Sequence, residues 1–280
     1  MPDPLAEQGE LDAALLLAAE EARRYRDGIG DALVLDPTAE EVVDGWSDPM
    51  PESGDGTLAA LTELAARGRD AATRSSGPRF FHFVMGGGTP AALAADWLTS
   101  AYDQIAYAWA SSPFAARLEQ VALDWLRQLF ELPEEFDGVL TTGATMANFV
   151  ALSAARGWWG EQVGSDVDED GLYGLRRPAI LSSGYVHPSA VQAIGMLGLG
   201  RANVRRLARD EAGRLDLEAL RRELTAAETP VILIANAGEV NSGDFDPIGE
   251  MADLAKRHGA WLHVDGALVS SLASPRRRDG

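Results

Sequence analysis

The chain contains no cysteine. Disulfides, thiolate metal sites and a cysteine nucleophile are excluded on that count, while the redox compartment stays open. Lysine is nearly absent. Of 24 basic residues only Lys256 is a lysine, an excess of arginine that we read as a GC-rich coding bias. Basic charge is scarce altogether: 43 acidic residues leave a formal net charge of −19. With no basic stripe to neutralise phosphates, the composition argues against a nucleic-acid partner. The only basic run, Arg276-Arg277-Arg278, reads as a solvated loop. Long apolar runs are missing too. The longest, such as residues 13–19, fall well short of the roughly 18 that suggest a membrane span, and no basic-then-apolar signal pattern opens the chain. The expected location is cytoplasmic, without a membrane partner.

What is present is ordinary for a globular protein: 280 residues, 46% hydrophobic and 24% charged. That suffices for one large domain with an appendage, or for two modest domains. The first part reads as helical. Residues 10–26 carry Leu11, Leu15, Ala18, Ala22 and Tyr25 at helical spacing, and a second helix spans residues 57–73. Between them residues 36–56, rich in Pro, Gly, Ser and Asp, read as an extended connector. Pro90 opens a helix running to about residue 108, and residues 113–132 form another, with Leu118, Val121, Leu126 and Leu129 on its apolar side.

From Gly138 onward strands and helices alternate. Strands are expected at 138–142, 179–182, 204–207 and 231–236, with helices at 146–158, 189–197, 217–225 and 248–258; residues 160–174 read as an acidic, glycine-rich surface loop. The last strand, Trp261-Leu262-His263-Val264, runs into Asp265-Gly266-Ala267. Such alternation predicts a mostly parallel sheet covered by helices on both faces. There is no internal repeat.

Four stretches carry candidate chemistry. Asp265 closes an apolar strand, where ligands of open α/β sheets gather; a lone acid there is equally a helix cap, a metal ligand or a carboxylate satisfied by backbone donors. Thr141 through Asn148 lies where a strand yields to a helix, and small residues with free first-turn N–H groups suit a phosphate, although Thr145 is also a plain helix cap. His187, just after a strand, is either a hydrogen-bonded loop residue or a ring that stacks on a flat ligand and exchanges protons. Asn236 ends a third strand with an amide able to donate to a ligand oxygen, and Asp246-Pro247 reads as a helix start with Asp246 capping. Phe80, Phe81 and Phe83, beside a glycine-rich turn, read as a packed loop or as a pocket wall.

In order and spacing these stretches resemble the pyridoxal-phosphate-dependent group II amino-acid decarboxylases, the family of aromatic-amino-acid and glutamate decarboxylases. The likeness runs from Arg79 to Ala267. It includes Pro78-Arg79-Phe80-Phe81, Ser112-Pro113, Leu118-Glu119 and Trp125-Leu126, and rests most specifically on His187-Pro188-Ser189 and His263-Val264-Asp265-Gly266-Ala267. The resemblance implies a fold-type I large domain over residues 79–280, incomplete at its C-terminus. A helical segment that clasps a second subunit precedes it over residues 1–78, and the assembly is a homodimer. It implies pyridoxal 5′-phosphate as cofactor and decarboxylation of an L-amino acid, leaning to an aromatic one, with no metal.

The resemblance also assigns roles. Asp265 would pair with the pyridine nitrogen, His187 would stack on one ring face and Ala267 would lie against the other. Ala144 and Thr145 would hold the phosphate, and Asn236 would sit by the ring hydroxyl. Phe83, Ile105 and Tyr107 would build the substrate pocket, the last two reaching across the dimer interface. Ala144 and Met146 stand where relatives often have Gly and Glu, and Asn236 replaces a common Thr. The family lysine that attaches the cofactor lies downstream of Asp265, and Lys256 reads as solvent-facing, so the 280 residues are expected to be a fragment with little or no activity alone. A non-catalytic remnant that binds the cofactor or dimerises is the alternative. A nucleotide-binding α/β protein using residues 141–148 is a further one, although the chain lacks both the Gly-x-x-x-x-Gly-Lys-Ser/Thr loop and the Gly-x-Gly-x-x-Gly fingerprint.

Overall fold

The computed structural model describes residues 4–268 apart from 48, 51, 86 and 212; the arginine run at 276–278 lies outside them. They form two compact units, Met1–Tyr102 and Asp103–Gly280. The division read from the sequence at 78/79 falls inside the first.

The first unit opens with a 3-10 helix, Pro4–Glu10, followed by α1 (Leu11–Asp27), α2 (Ala39–Asp44), α3 (Thr57–Ala71) and α4 (Pro90–Tyr102). The helix α2 interrupts the stretch expected to be extended. Asp36 Oδ1 takes the Thr38 N–H at 2.9 Å and its hydroxyl at 2.6 Å, a local turn that starts a helix. Glu40 and Glu41 then occupy its first turn, where the dipole favours acids. Arg69 of α3 donates two hydrogen bonds, at 2.9 and 2.7 Å, to Glu21 of α1. These bonds, with the arginine charge, hold the Glu21 carboxyl below its usual range. The α4 helix stops at Tyr102 rather than near 108, and Asp103 follows it with φ +47, a conformation that an α-helix cannot continue.

The second unit comprises α5 (Pro113–Leu129), α6 (Ala144–Gln162), β1 (Ala179–Ser183), α7 (Pro188–Met196), β2 (Val204–Leu207), α8 (Leu217–Ala226), β3 (Val231–Asn236), α9 (Ile248–His258) and β4 (Trp261–Asp265). All strand pairs are parallel, in the order β2-β1-β3-β4. Alternate strand residues feed two cores, as the two-residue period of a strand requires. Ile180, Ile232 and Ile234 pack with Leu152, Ala155 and Trp159 of α6 and Ala190, Ala193 and Ile194 of α7. Leu181, Leu233 and Ala235 pack on the other face with Leu220 and Leu224 of α8 and Met251, Leu254 and Ala255 of α9. Each of these four helices thus presents one apolar stripe to one sheet face, the two-sided cover expected of a parallel sheet, whereas α5 buries no residue.

Residues 138–142, expected as a strand, are not one: they have no ladder partner among the described residues. An extended conformation becomes a strand only when a neighbour pairs with it. At the other end of the domain, α9 closes on Gly259 with φ +60 and ψ +40, the left-handed cap that turns the chain into β4 within two residues. No helix among the described residues is long and apolar enough to cross a membrane.

Candidate active site

Parallel pairing with matched register brings the carboxyl ends of the strands to one edge. Asn236 lies directly beside Asp265, and Ser182 beside Ile234. The chain leaves β1 towards β2 on one side and returns to β3 on the other, so β1 and β3 flank a topological switch point, where open α/β sheets bind ligands. The loop carrying His187 leaves β1 at this edge.

The α6 helix starts here as well. Gly143, its N-cap, has φ +136, and an added Cβ would meet nothing within 4 Å. Ala144 and Thr145 form the first turn and are exposed; their N–H groups have no intrahelical acceptor and sit at the positive end of the helix dipole. Thr145 does not cap the helix, since it lies inside it and Gly143 occupies the cap position. One turn further along, Asn148 is only 4% exposed. It starts the buried stripe Asn148, Leu152, Ala155 and Trp159, so a helical spacing that is apolar elsewhere places one amide beneath the site.

That amide is fully bonded. Its Nδ2 donates to Asp265 Oδ2 at 3.0 Å and to Ser189 Oγ at 3.2 Å, and its Oδ1 faces His263 Nε2 at 2.7 Å. Because Nδ2 faces the carboxylate, Oδ1 must be the acceptor, and His263 therefore carries its proton on Nε2. Burial lowers the His263 pKa, with Asp265 opposing in part, which keeps this ring neutral. The second Asp265 oxygen accepts the Ala267 N–H at 3.2 Å.

His187 is the N-cap of α7. Its Nδ1 accepts the Ser189 N–H at 3.2 Å and lies 2.7 Å from Ser189 Oγ. The ring is exposed, so its Nδ1 is tied to the helix start while its face stays open. A His-Pro-Ser sequence suits this geometry: the ring nitrogen caps, Pro188 needs no acceptor for an N–H, and Ser189 supplies two donors.

Asn236 is arranged differently from the expectation. It is buried, and its Nδ2 donates both to Ser183 Oγ and to Asp246 Oδ2, each at 2.9 Å. A ligand oxygen beside it would compete with those two acceptors. Asp246 does not cap α9; Pro247 holds the cap position without a side-chain bond. The Asp246 carboxylate turns inward instead, because three backbone and amide donors from Leu215 and Asn236 converge on it.

Ile105 and Tyr107, in the second unit, are 64% and 86% exposed and take no part in this network. Phe83, in the first, is 88% exposed with φ +57. Lys256 is exposed on α9. Asn148, Ser189 and His263 are the network members to which no role had been assigned from the sequence. The available signal was an asparagine at the head of an otherwise apolar helical stripe.

The family model for the pyridoxal-dependent decarboxylase conserved domain matches residues 50–279. An L-2,4-diaminobutyrate decarboxylase of Rhizobium meliloti (strain 1021) is 32% identical over 98% of this chain and 57% of its own length. Tryptophan decarboxylase 1 of Oryza sativa subsp. japonica is 34% identical over 71% of this chain and 41% of its own, and the cysteine sulfinic acid decarboxylase of Rattus norvegicus is 34% identical over 71% and 40%. The chain thus spans about half the length of the curated relatives it matches. Among solved structures, mouse CSAD superposes with a TM-score of 0.84 at 29% identity, over 99% of this chain and 57% of that one. Oryza sativa TDC with PLP and tryptamine superposes with a TM-score of 0.80 at 27% identity, over 92% and 55%.

Proposed function

The chain belongs to the pyridoxal-dependent decarboxylases, the group II amino-acid decarboxylase family, and on that premise we propose that it binds pyridoxal 5′-phosphate at the carboxyl edge of its sheet and serves the decarboxylation of an L-amino acid. The observation that carries this reading is the convergence of a held carboxylate, Asp265, and an exposed histidine ring, His187, on the edge where α6 begins.

The residues present fit the group. The open first turn of α6, at Ala144 and Thr145, suits a phosphate, with the clear space at Gly143 leaving room for close approach. Asp265, fixed by Asn148 and by the Ala267 N–H, would accept the pyridinium N–H and keep that nitrogen protonated. His187 would lie on one ring face and Ala267 against the other. Asn236 would stand by the ring hydroxyl, donating to it in place of its bond to Ser183 Oγ or to Asp246 Oδ2. When bound, pyridoxal phosphate supplies the electron sink for the pair left behind as carbon dioxide departs. Lys256, exposed on the outer helix α9, is given no part in holding it.

Ile105 and Tyr107 are assigned to substrate selection, and Phe83 keeps the same role on the family resemblance. The rings of Phe83 and Tyr107 favour an aromatic amino acid. The family pattern also favours a homodimer, clasped by the helical segment of residues 1–78.

The test is turnover by the full-length protein supplied with pyridoxal phosphate, offered L-tryptophan, L-2,4-diaminobutyrate and L-cysteine sulfinate in parallel. Release of carbon dioxide from one of them is expected, with Asp265→Ala reducing it by about a hundredfold or more. Wild-type protein that takes up no cofactor, or an Asp265→Ala variant that turns over unchanged, would overturn the reading.

A further inference from the structure

We propose that Asn148 is a positioning residue that sets both the Asp265 carboxylate and the His187 ring, with His263 holding its amide in the orientation this requires. The inference rests on the reading that Asp265 and His187 face the cofactor.

The argument begins with the valence of one amide. A carboxamide offers two N–H donors and one carbonyl acceptor, and here all are engaged: one hydrogen to Asp265 Oδ2, one to Ser189 Oγ, the carbonyl to His263 Nε2. Having accepted from Asn148, Ser189 Oγ has its own hydrogen left for His187 Nδ1 at 2.7 Å. A continuous relay therefore runs from His263 through Asn148, where it forks to Asp265 and, by way of Ser189, to His187. The last direction is set by the Ser189 N–H, which also points at His187 Nδ1 at 3.2 Å and would oppose a proton there. His187 must present an unprotonated Nδ1 inward and its Nε2–H outward.

Turning the Asn148 amide over would set its oxygen against the Asp265 carboxylate and its NH2 against the Nε2–H of His263. Both contacts are repulsive, and no water-filled space is needed to see the cost, because Asn148 and His263 are both buried. The buried imidazole thus serves as a key for the amide. Groups behind a cofactor-binding carboxylate act in this way by removing alternative orientations, as outer partners of metal ligands do. Asn148 also ties the acid to the phosphate end of the site, since it lies on the same helix face as Ala144, one turn on. Any shift of α6 moves both together.

The experiment combines two readouts on the full-length protein. Imidazole 15N NMR, with the 4 histidines of these 280 residues assigned among the rest by single substitutions, reads the tautomers without any cofactor. The expected result is Nε2–H at His263 and Nε2–H with bare Nδ1 at His187; Nδ1–H at His187, or a bare Nε2 at His263, overturns the relay. The second readout uses Asn148→Asp, which keeps the shape but replaces the two donors by an acceptor facing Asp265. Pyridoxal phosphate titration, followed by absorbance, is expected to show affinity reduced at least tenfold and an altered bound spectrum, with Asn148→Ser, a smaller donor, recovering part of the loss. A folded Asn148→Asp protein with wild-type affinity, spectrum and His187 tautomer overturns the proposal. A wild-type protein that binds no pyridoxal phosphate overturns the functional reading instead, and the two tautomers then decide the relay alone.

Discussion

Asp246 Oδ2 accepts both the backbone N–H and the side-chain amide of Asn236, at 2.8 and 2.9 Å. Its other oxygen takes the Leu215 N–H at 2.8 Å. One buried carboxylate thereby fastens the end of β3 to the loop entering α8 and fixes the residue that neighbours Asp265 in register.

Replacing Asp246 by Ala leaves three buried donors without acceptors, which costs about 3 kcal/mol or more. Asp246→Asn keeps one carbonyl acceptor and is expected to lose less. Urea unfolding midpoints of the two variants against wild type check the order, and an alanine variant within about 0.5 kcal/mol of wild type would show that the convergence on Asp246 is not stabilising.

Gly160 lies within α6, where alanine is ordinarily better than glycine by about 1 kcal/mol. Here the sign reverses. A Cβ at this position would stand 2.6 Å from Val167 Cγ1 and 2.8 Å from Ser165 O, and the second of these is backbone that closes the helix end through the Ser165 N–H to Gly160 O bond of 2.9 Å. Gly160→Ala is expected to destabilise by about 1–3 kcal/mol; thermal melting of the variant decides it, and a raised Tm would refute the packing argument.

His263 gives stability a pH dependence. Burial lowers its pKa below the ordinary 6.5, so between the folded and unfolded values the unfolded chain binds more protons and stability falls as pH falls. The contribution is fully present above about 6.5 and is lost progressively below it. His263→Gln retains a donor towards Asn148 without a titrating ring. Its unfolding free energy, followed from pH 7.5 to 5 by urea titration, is expected to decline less steeply than that of wild type, and parallel declines would count against a neutral buried His263.

Much of the fold was legible along the chain because helices and parallel strands carry their own periodicity. The β2 and β3 strands and the α9 helix have the boundaries expected of them: β3 follows Pro230 and ends on Asn236, and α9 lies between Pro247 and Gly259, where proline and glycine punctuate the chain. The helical end near 108 and the strand at 138–142 failed for different reasons. Asp103 stops α4 through a backbone conformation that its side chain does not announce, and a strand depends on a partner that local sequence cannot supply. Asp246-Pro247 had the composition of a helix cap. Three convergent donors from elsewhere in the fold outweighed the two or so bonds a cap would make.

The sequence by itself determined the α/β class, the family and the set of strand ends where chemistry gathers. These follow from apolar periodicity and from motifs read within short spans, His187-Pro188-Ser189 and His263 through Ala267 above all. Only the tertiary structure decided how the polar groups at those ends are bonded. Asn148 and Asp265 are 117 residues apart in the chain, and Asn236 and Asp246 share a bond because β3 and the start of α9 meet in space. A buried amide or carboxylate takes whichever donors and acceptors the packed backbone leaves within about 3 Å, and that choice is made by the register of the sheet and the angle of α6, which no local pattern encodes.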